Sequence, residues 1–250
     1  MMLVTSTFRE YVEELTGYFE RDMANRPEEW IISDRLSEKI TPDGKMNPFF
    51  GATSVIKLSE EDRDKCRRIQ RELWEHHGDM LVELLPETYH LTIHAFSNVY
   101  NVSQNIDEIR AEMESLEGRI GEEMLRVGEI YGDTVIRMRA LGTSTGGRDA
   151  VSIKFVPAGE RDFQVLADLY NRFETIYPLG KPFIPHVSLS YFKVKKFGRG
   201  EVHRLYDTLD RLNAGTKFDI LLDVRNFVYQ HHYHMNDFRD VIGIFPQQED

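Results

Sequence analysis

A chain of 250 residues, 41% hydrophobic and 29% charged, is long enough to bury one substantial core or two small lobes. Its formal net charge of −11 argues against long nucleic acid as a partner, because affinity for a polyanion comes mainly from lysine and arginine; a small phosphorylated substrate in a locally positive pocket stays compatible. The single cysteine, Cys66, excludes an intramolecular disulfide, and no apolar run has the length of a membrane span. We therefore expect a soluble, cytoplasmic protein with no membrane partner.

The spacing of apolar residues predicts helices and strands that alternate along the chain. At 5–22 the apolar residues share one face at helical spacing, which indicates an amphipathic helix on the outside of the core. The segment 59–62 has the pattern of a capping box and predicts the start of a helix that runs through Trp74. The glycine-rich segment 142–149 predicts a long hairpin connection. The other predicted elements are strands at 49–58, 89–96, 134–141, 150–156, 185–193, 217–229 and 240–245 and helices at 103–120, 162–176 and 201–212.

Two of the predicted strands carry the same pattern, a histidine followed two residues later by a hydroxyl residue. The first reads His90-Leu91-Thr92-Ile93 and the second reads His186-Val187-Ser188-Leu189. Because strand side chains alternate between faces, each strand is expected to bury its apolar residues and to present its histidine and hydroxyl on the other face, together with His94 and Ser190. If the two polar faces meet across a groove, two imidazoles and two hydroxyls surround one ligand.

This set of groups suits cleavage of a phosphodiester. One imidazole can take a proton from the attacking water or hydroxyl while the other gives a proton to the leaving oxygen, and an ordinary pKa near roughly 6.5 makes both roles accessible at neutral pH. Hydroxyl groups can donate hydrogen bonds to the nonbridging phosphate oxygens, where charge gathers in the transition state. The predicted catalytic residues are therefore His90, Thr92, His186 and Ser188, and neither a metal nor another cofactor is required.

The paired pattern resembles the two-histidine (2H, LigT-like) phosphoesterases, which include bacterial RNA-ligase-like cyclic phosphodiesterases. The resemblance extends from about Asn47 to Phe245 and implies an α+β fold of two lobes, with antiparallel sheets flanked by helices around a central groove. It implies a division into an N-terminal helical extension, residues 1–45, and a two-lobed domain, residues 46–250. Tyr191 stands where the second motif often continues with an aromatic residue, and it is expected to contact substrate. Ser188 replaces a more common threonine, and Ser190 a common glycine.

Other histidines raise the question of a metal site. Four residues along a strand span about 13 Å, too far for His90 and His94 to share one ion, so His94 is expected to line the groove and contact substrate. The cluster His231-His232-Tyr233-His234 lacks carboxylate or cysteine partners and is more typical of a solvated strand end, with a place at the substrate rim as the alternative. The segment 142–149 lacks the lysine-and-hydroxyl ending of a phosphate-binding loop.

The leading hypothesis is an enzyme that opens a cyclic phosphate or cleaves a 2′-linked phosphodiester in a small nucleotide or an RNA end. Two alternatives stay open from the sequence. One is a noncatalytic nucleotide-binding module of the same fold, against which the intact histidines of both motifs argue. The other is a metal-dependent hydrolase that uses His90, His94 and the cluster at 231–234.

Overall fold

The computed structural model describes residues 4–215 and 217–245, in which helices and strands alternate along the chain. The α-helices of these residues are α1 (Phe8–Ala24), α2 (Glu60–His77), α3 (Ile106–Tyr131), α4 (Glu160–Ile176) and α5 (Arg199–Gly215). The strands are β1 (Gly51–Lys57), β2 (Leu81–Glu83), β3 (His90–Asn98), β4 (Val135–Ser144), β5 (Ala150–Pro157), β6 (His186–Phe192), β7 (Asp219–Asp223), β8 (Phe227–His234) and β9 (Asp237–Gly243). No helix in this part of the chain combines the length and the apolar character needed to cross a membrane.

Side-chain caps explain where the first two helices begin. Thr7 accepts a hydrogen bond from the Glu10 amide and the Glu10 carboxylate accepts one from the Thr7 amide, which is a complete capping box at the start of α1. Ser59 caps α2 by accepting a hydrogen bond from the Asp62 amide, as its sequence predicts. The α1 helix lies against β4, β5 and α4, and the Tyr11 hydroxyl donates to the Phe183 carbonyl at 2.9 Å.

The strands form two antiparallel sheets. Sheet one has the order β3-β1-β8-β9 and sheet two has the order β2-β6-β5-β4-β7, with every neighbouring pair antiparallel. The two motif strands, β3 at the edge of sheet one and β6 inside sheet two, contact each other. The predicted α+β fold of two sheets flanked by helices is therefore confirmed, and the histidine motifs lie where the sheets meet.

Both motif strands contain a bulge directly after the hydroxyl residue. In β3 the pairing with β1 shifts between Thr92 and His94, which makes Ile93 the extra residue. In β6 the pairing with β5 shifts between Ser188 and Ser190, which makes Leu189 the extra residue. A bulge re-aims the side chains that follow it. His94 and Ser190 are therefore buried, whereas the motif histidines and hydroxyl residues before the bulges are half-buried, so the strict alternation predicted for these strands is interrupted.

Near the C-terminus one predicted strand is two. The segment 217–229 is interrupted by the 3-10 turn Val224–Asn226, and it separates β7, in sheet two, from β8, in sheet one. The Asp223 carboxylate accepts a hydrogen bond from the Arg225 amide and so fixes this turn locally. The strand β2 was not predicted, and α3 extends to Tyr131, beyond its predicted end. The other predicted helices and strands are present with shifted ends.

Candidate active site

The groove between the sheets consists of two adjoining compartments. The smaller compartment, about 300 Å³, is lined by His90 and His232, and the larger compartment, about 610 Å³, by Lys154 and the side of α1. The side chains that line both compartments, and so mark their junction, are Lys39, Thr92, Ala95, Leu179, Lys181, His186, Ser188 and Tyr191. The structure therefore brings the four predicted catalytic residues to one groove, with His90 at the smaller compartment and the other three at the junction.

The backbone holds the two motif histidines in the same way. The His90 Nδ1 lies 2.7 Å from the Thr88 carbonyl oxygen, and the His186 Nδ1 lies 2.8 Å from the Ile184 carbonyl oxygen. A carbonyl oxygen can only accept a hydrogen bond, so Nδ1 carries the proton in both rings. In the neutral tautomer each Nε2 is then an acceptor, as a general base must be.

Burial sets the charge of both imidazoles in the free protein. It lowers the pKa of His90 to about 4. The pKa of His186 is lowered to about 3, first by burial and then by the nearby charge of Lys154. Both rings are thus neutral at pH 7 before substrate binds. An anionic phosphate in the groove favours the imidazolium, so substrate binding and proton uptake by one histidine are coupled.

Positive charge is concentrated at this groove although the chain is acidic. The Lys39 ammonium lies 5.1 to 5.4 Å from the ring centres of Phe49, Tyr100 and Tyr191, and it donates to the Tyr191 hydroxyl at 3.4 Å. Two further lysines, Lys154 and Lys181, line the larger compartment. None of the three was predicted from the sequence to lie at the site, although Lys154 is recognisable as the one charged residue of its strand.

His94 is among the residues that line the larger compartment, although it is buried. Its side chain has no exposed surface, and its Nε2 lies 3.1 Å from the Glu174 carboxylate. The ring packs on Phe96 and Tyr170. The bulge at Ile93 causes this inward turn and also leaves Ala95 at the groove. Burial lowers the pKa of His94, so the contact with Glu174 is a hydrogen bond of a neutral imidazole, and contact of His94 with substrate stays a prediction. Tyr191, in contrast, lies at the junction because the bulge in β6 turns it toward the groove.

His232 is a groove residue that the sequence did not single out. It is 5% exposed, and so the prediction of a solvated strand end is wrong for this residue. Its Nδ1 lies 2.7 Å from the Phe49 carbonyl oxygen, its ring stacks on Phe49, and it lines the smaller compartment with His90. Burial lowers the pKa of His232 to about 4. Alternation along β8 could have separated it from His231, which bonds Glu117 instead.

The histidines of the metal-dependent alternative lie apart. His94 is bonded to Glu174 and His231 to Glu117, while His90 and His232 line the smaller compartment. Within residues 4–215 and 217–245, no group of three or more His, Cys, Asp or Glu side chains has the arrangement of a metal site. In the part of the chain that the structure describes, the metal-dependent alternative therefore has no group of side chains placed to bind one ion.

Comparison with solved structures identifies the fold. A conserved protein of unknown function from Agrobacterium tumefaciens, ATU0111, superimposes with a TM-score of 0.63 and 14% identity, over 86% of this chain and 100% of that one. This likeness is one of fold: the α+β architecture of this chain is shared with that protein.

A more distant match is TT0787 of Thermus thermophilus, with a TM-score of 0.40 and 16% identity, over 72% of this chain and 87% of that one. Another is Escherichia coli LigT complexed with NADP+, with a TM-score of 0.41 and 14% identity, over 77% of this chain and 94% of that one. No protein-family model and no curated protein matches the sequence.

Proposed function

We propose that this chain is a phosphodiesterase that hydrolyses a nucleotide phosphodiester by acid/base catalysis with His90 and His186. The observation that supports it best is the matched hydrogen bonding of the two histidines. Each ring donates from Nδ1 to a carbonyl two residues earlier, so each Nε2 is left for the substrate. The hydroxyls of Thr92 and Ser188 line the same groove.

In the proposed reaction one imidazole Nε2 accepts a proton from water as the water oxygen forms a bond to phosphorus. The other ring, protonated when the anionic substrate binds, gives its proton to the leaving oxygen as the phosphorus–oxygen bond breaks. Thr92 and Ser188 donate to the nonbridging oxygens. All charge on the reacting group is met by hydrogen bonds and ammonium groups of this chain, and no step needs a metal.

The two compartments favour a diester with a sizeable group on each side of the phosphate. A phosphate at the junction has the smaller compartment on one side and the larger on the other. Aromatic side chains line both, among them Phe49 and Tyr100 in the smaller and Tyr18 and Phe183 in the larger. Such rings accept bases by stacking. We therefore place a 2′-linked diester between two nucleosides ahead of a cyclic mononucleotide among the proposed substrates.

The test is a substrate screen with a catalytic control. The wild-type protein and a His90→Ala/His186→Ala double variant are incubated with 2′,5′-linked dinucleotides, cyclic dinucleotides, cyclic mononucleotides and RNA ends bearing cyclic phosphates, each with and without chelator. We expect product from wild type alone, in equal amount with chelator. Tight binding without product would support the noncatalytic module instead. Activity that disappears with chelator and returns with one metal would overturn the mechanism.

A further inference from the structure

Lys154 occupies a defined place beside His186. The two residues are direct partners across the antiparallel pair β5–β6, and Ser152 and Ser188 are partners on the same strands. Residues directly opposite each other in a sheet project from the same face, with Cβ atoms about 5 Å apart. Lys154 therefore shares the groove face of His186, and both line the larger compartment.

Lys154 is half-buried, and in the part of the chain that the structure describes it forms no ion pair. Among the ion pairs of residues 4–215 and 217–245, none includes this lysine. The nearby carboxylate of Asp22 accepts hydrogen bonds from the Gly146 amide at 2.9 Å and from the Thr145 hydroxyl at 3.5 Å. Asp22 is therefore near Lys154 but directs its hydrogen bonds to other groups, and a partly desolvated cation that lacks a direct ion pair is unfavourable, which makes it a candidate for contact with an anionic ligand.

Lys57 provides an internal comparison. It is the partner of His90 across β1–β3, the same register that Lys154 has with His186. The Lys57 ammonium, however, forms an ion pair with Asp240 at 2.5 Å, and both side chains are more than 40% exposed. The two motif histidines thus have equivalent lysine neighbours, of which one is neutralised at the surface and the other faces the groove unpaired.

We propose that Lys154 is a catalytic residue that donates a hydrogen bond to a nonbridging oxygen of the substrate phosphate on the His186 side of the groove. This inference rests on the proposed function, which supplies the phosphate. Until phosphate binds, the same ammonium disfavours an imidazolium at His186. A bound phosphate neutralises the lysine and permits that histidine to take up a proton.

Several other charged or titratable groups face His186 and belong to the same electrostatic environment. Lys39 precedes β1, His90 begins β3 and Lys181 lies in the loop before β6. Tyr191 belongs to β6, Asp22 to α1 and Asp149 to the β4–β5 hairpin. Lys154 differs from Lys39 because the Lys39 ammonium already lies among three aromatic rings and bonds a hydroxyl.

The experiment compares Lys154→Met with the matched variant Lys57→Met. Binding of inorganic phosphate is measured by calorimetry, and the imidazole Cε1 protons are titrated by NMR. We expect Lys154→Met to weaken phosphate binding at least tenfold and to raise the pKa of His186. We expect Lys57→Met to stay within twofold of wild type in phosphate affinity and to leave His186 unchanged. Lys154→Gln is a second neutral variant, in case the methionine variant does not fold.

Both readouts are independent of turnover, so failure of the proposed reaction is distinguishable from failure of this inference. Unchanged phosphate affinity in Lys154→Met would overturn the role of the lysine. Equal losses in the Lys154 and Lys57 variants would also overturn it, because they would show a diffuse effect of charge rather than a direct contact. If a diester substrate is found, kcat should fall on the order of 100-fold in Lys154→Met, as for loss of one donor to transition-state charge.

Discussion

Burial of three histidines in the groove predicts that the protein is sensitive to mild acid. Burial lowers the pKa of His90 and of His232 to about 4 and that of His186 to about 3, against an ordinary value of 6.5. The folded protein therefore keeps these imidazoles neutral at pH values where the unfolded chain already binds protons. Their contribution to stability is complete above pH 6.5 and is lost as the pH falls toward the folded-state pKa values.

The size of the effect follows from the shift. At pH 4.5, about two pH units below the ordinary histidine pKa, the unfolded chain is protonated while the folded protein stays largely neutral at these rings. Each of those two pH units corresponds to about 1.4 kcal/mol of lost stability for each histidine. Because the rings line a groove and are partly screened by solvent, we take about 2 kcal/mol for each histidine. Three of them then remove about 6 kcal/mol, a large part of the total of about 5 to 15 kcal/mol that is usual for a protein.

The assay is urea unfolding at pH 7.5 and pH 4.5, followed by the fluorescence of the fully buried Trp30. We expect the loss of stability between the two pH values to be about 2 kcal/mol smaller in His90→Gln and in His186→Gln than in wild type. His76→Gln, at an exposed position, is the control and should keep the wild-type difference. If both groove variants show the full wild-type loss at acid pH, the reasoning from burial is refuted.

Four further predictions concern catalysis, each measured on the best substrate of the screen. His90→Ala and His186→Ala should each reduce kcat on the order of 100- to 10,000-fold with an unchanged circular dichroism spectrum, and losses below tenfold in both would contradict the assignment. Thr92→Val and Ser188→Ala should cost less than the histidine changes, since each removes one hydrogen bond and leaves proton transfer in place; a hydroxyl variant slower than its histidine neighbour would reverse the roles. The pH dependence of kcat should be bell-shaped and unaffected by chelator, with its limbs above the free-protein pKa values of about 3 and 4 because bound phosphate favours imidazolium; a single limb would exclude a paired mechanism. Tyr18→Ala should raise KM about tenfold for a dinucleotide and leave KM for a cyclic mononucleotide unchanged, as expected for one lost stacking contact in the larger compartment; equal effects on both substrates would contradict that placement.

The sequence predicted those features that depend on local pattern. Apolar spacing and the capping residue Ser59 located helices, and the repeated motif located the two strands that meet between the sheets. The division into an N-terminal helical extension, residues 1–45, and a two-lobed domain, residues 46–250, stays a prediction. Strand alternation predicted the faces of His90, Thr92, His186 and Ser188 because the bulges come only after them.

The remaining features depend on contacts between distant segments. The bulges after Thr92 and Ser188, which bury His94 and turn Tyr191 toward the groove, are set by pairing with β1 and β5. This pairing cannot be read from the motif strands alone. The turn that separates β7 from β8 combines the local hydrogen bond from the Arg225 amide to Asp223 with one from the Val224 amide to the distant Thr134 carbonyl. It is followed by β8 in the other sheet, where His232 lines the groove. Lys154 acquires significance only through its register with His186.

The matched bulges and the backbone hydrogen bonds make the two motif histidines nearly equivalent, so that in the proposed reaction either one can serve either side of a diester. Either imidazole has the tautomer and the hydroxyl neighbour that either role requires. In the proposed reaction, groups that differ between the two sides set the orientation: Lys154 beside His186, α1 at the larger compartment and His232 at the smaller. We expect substitutions on α1 and at His232 to change substrate choice while the acid/base pair is conserved, so that specificity evolves separately from catalysis.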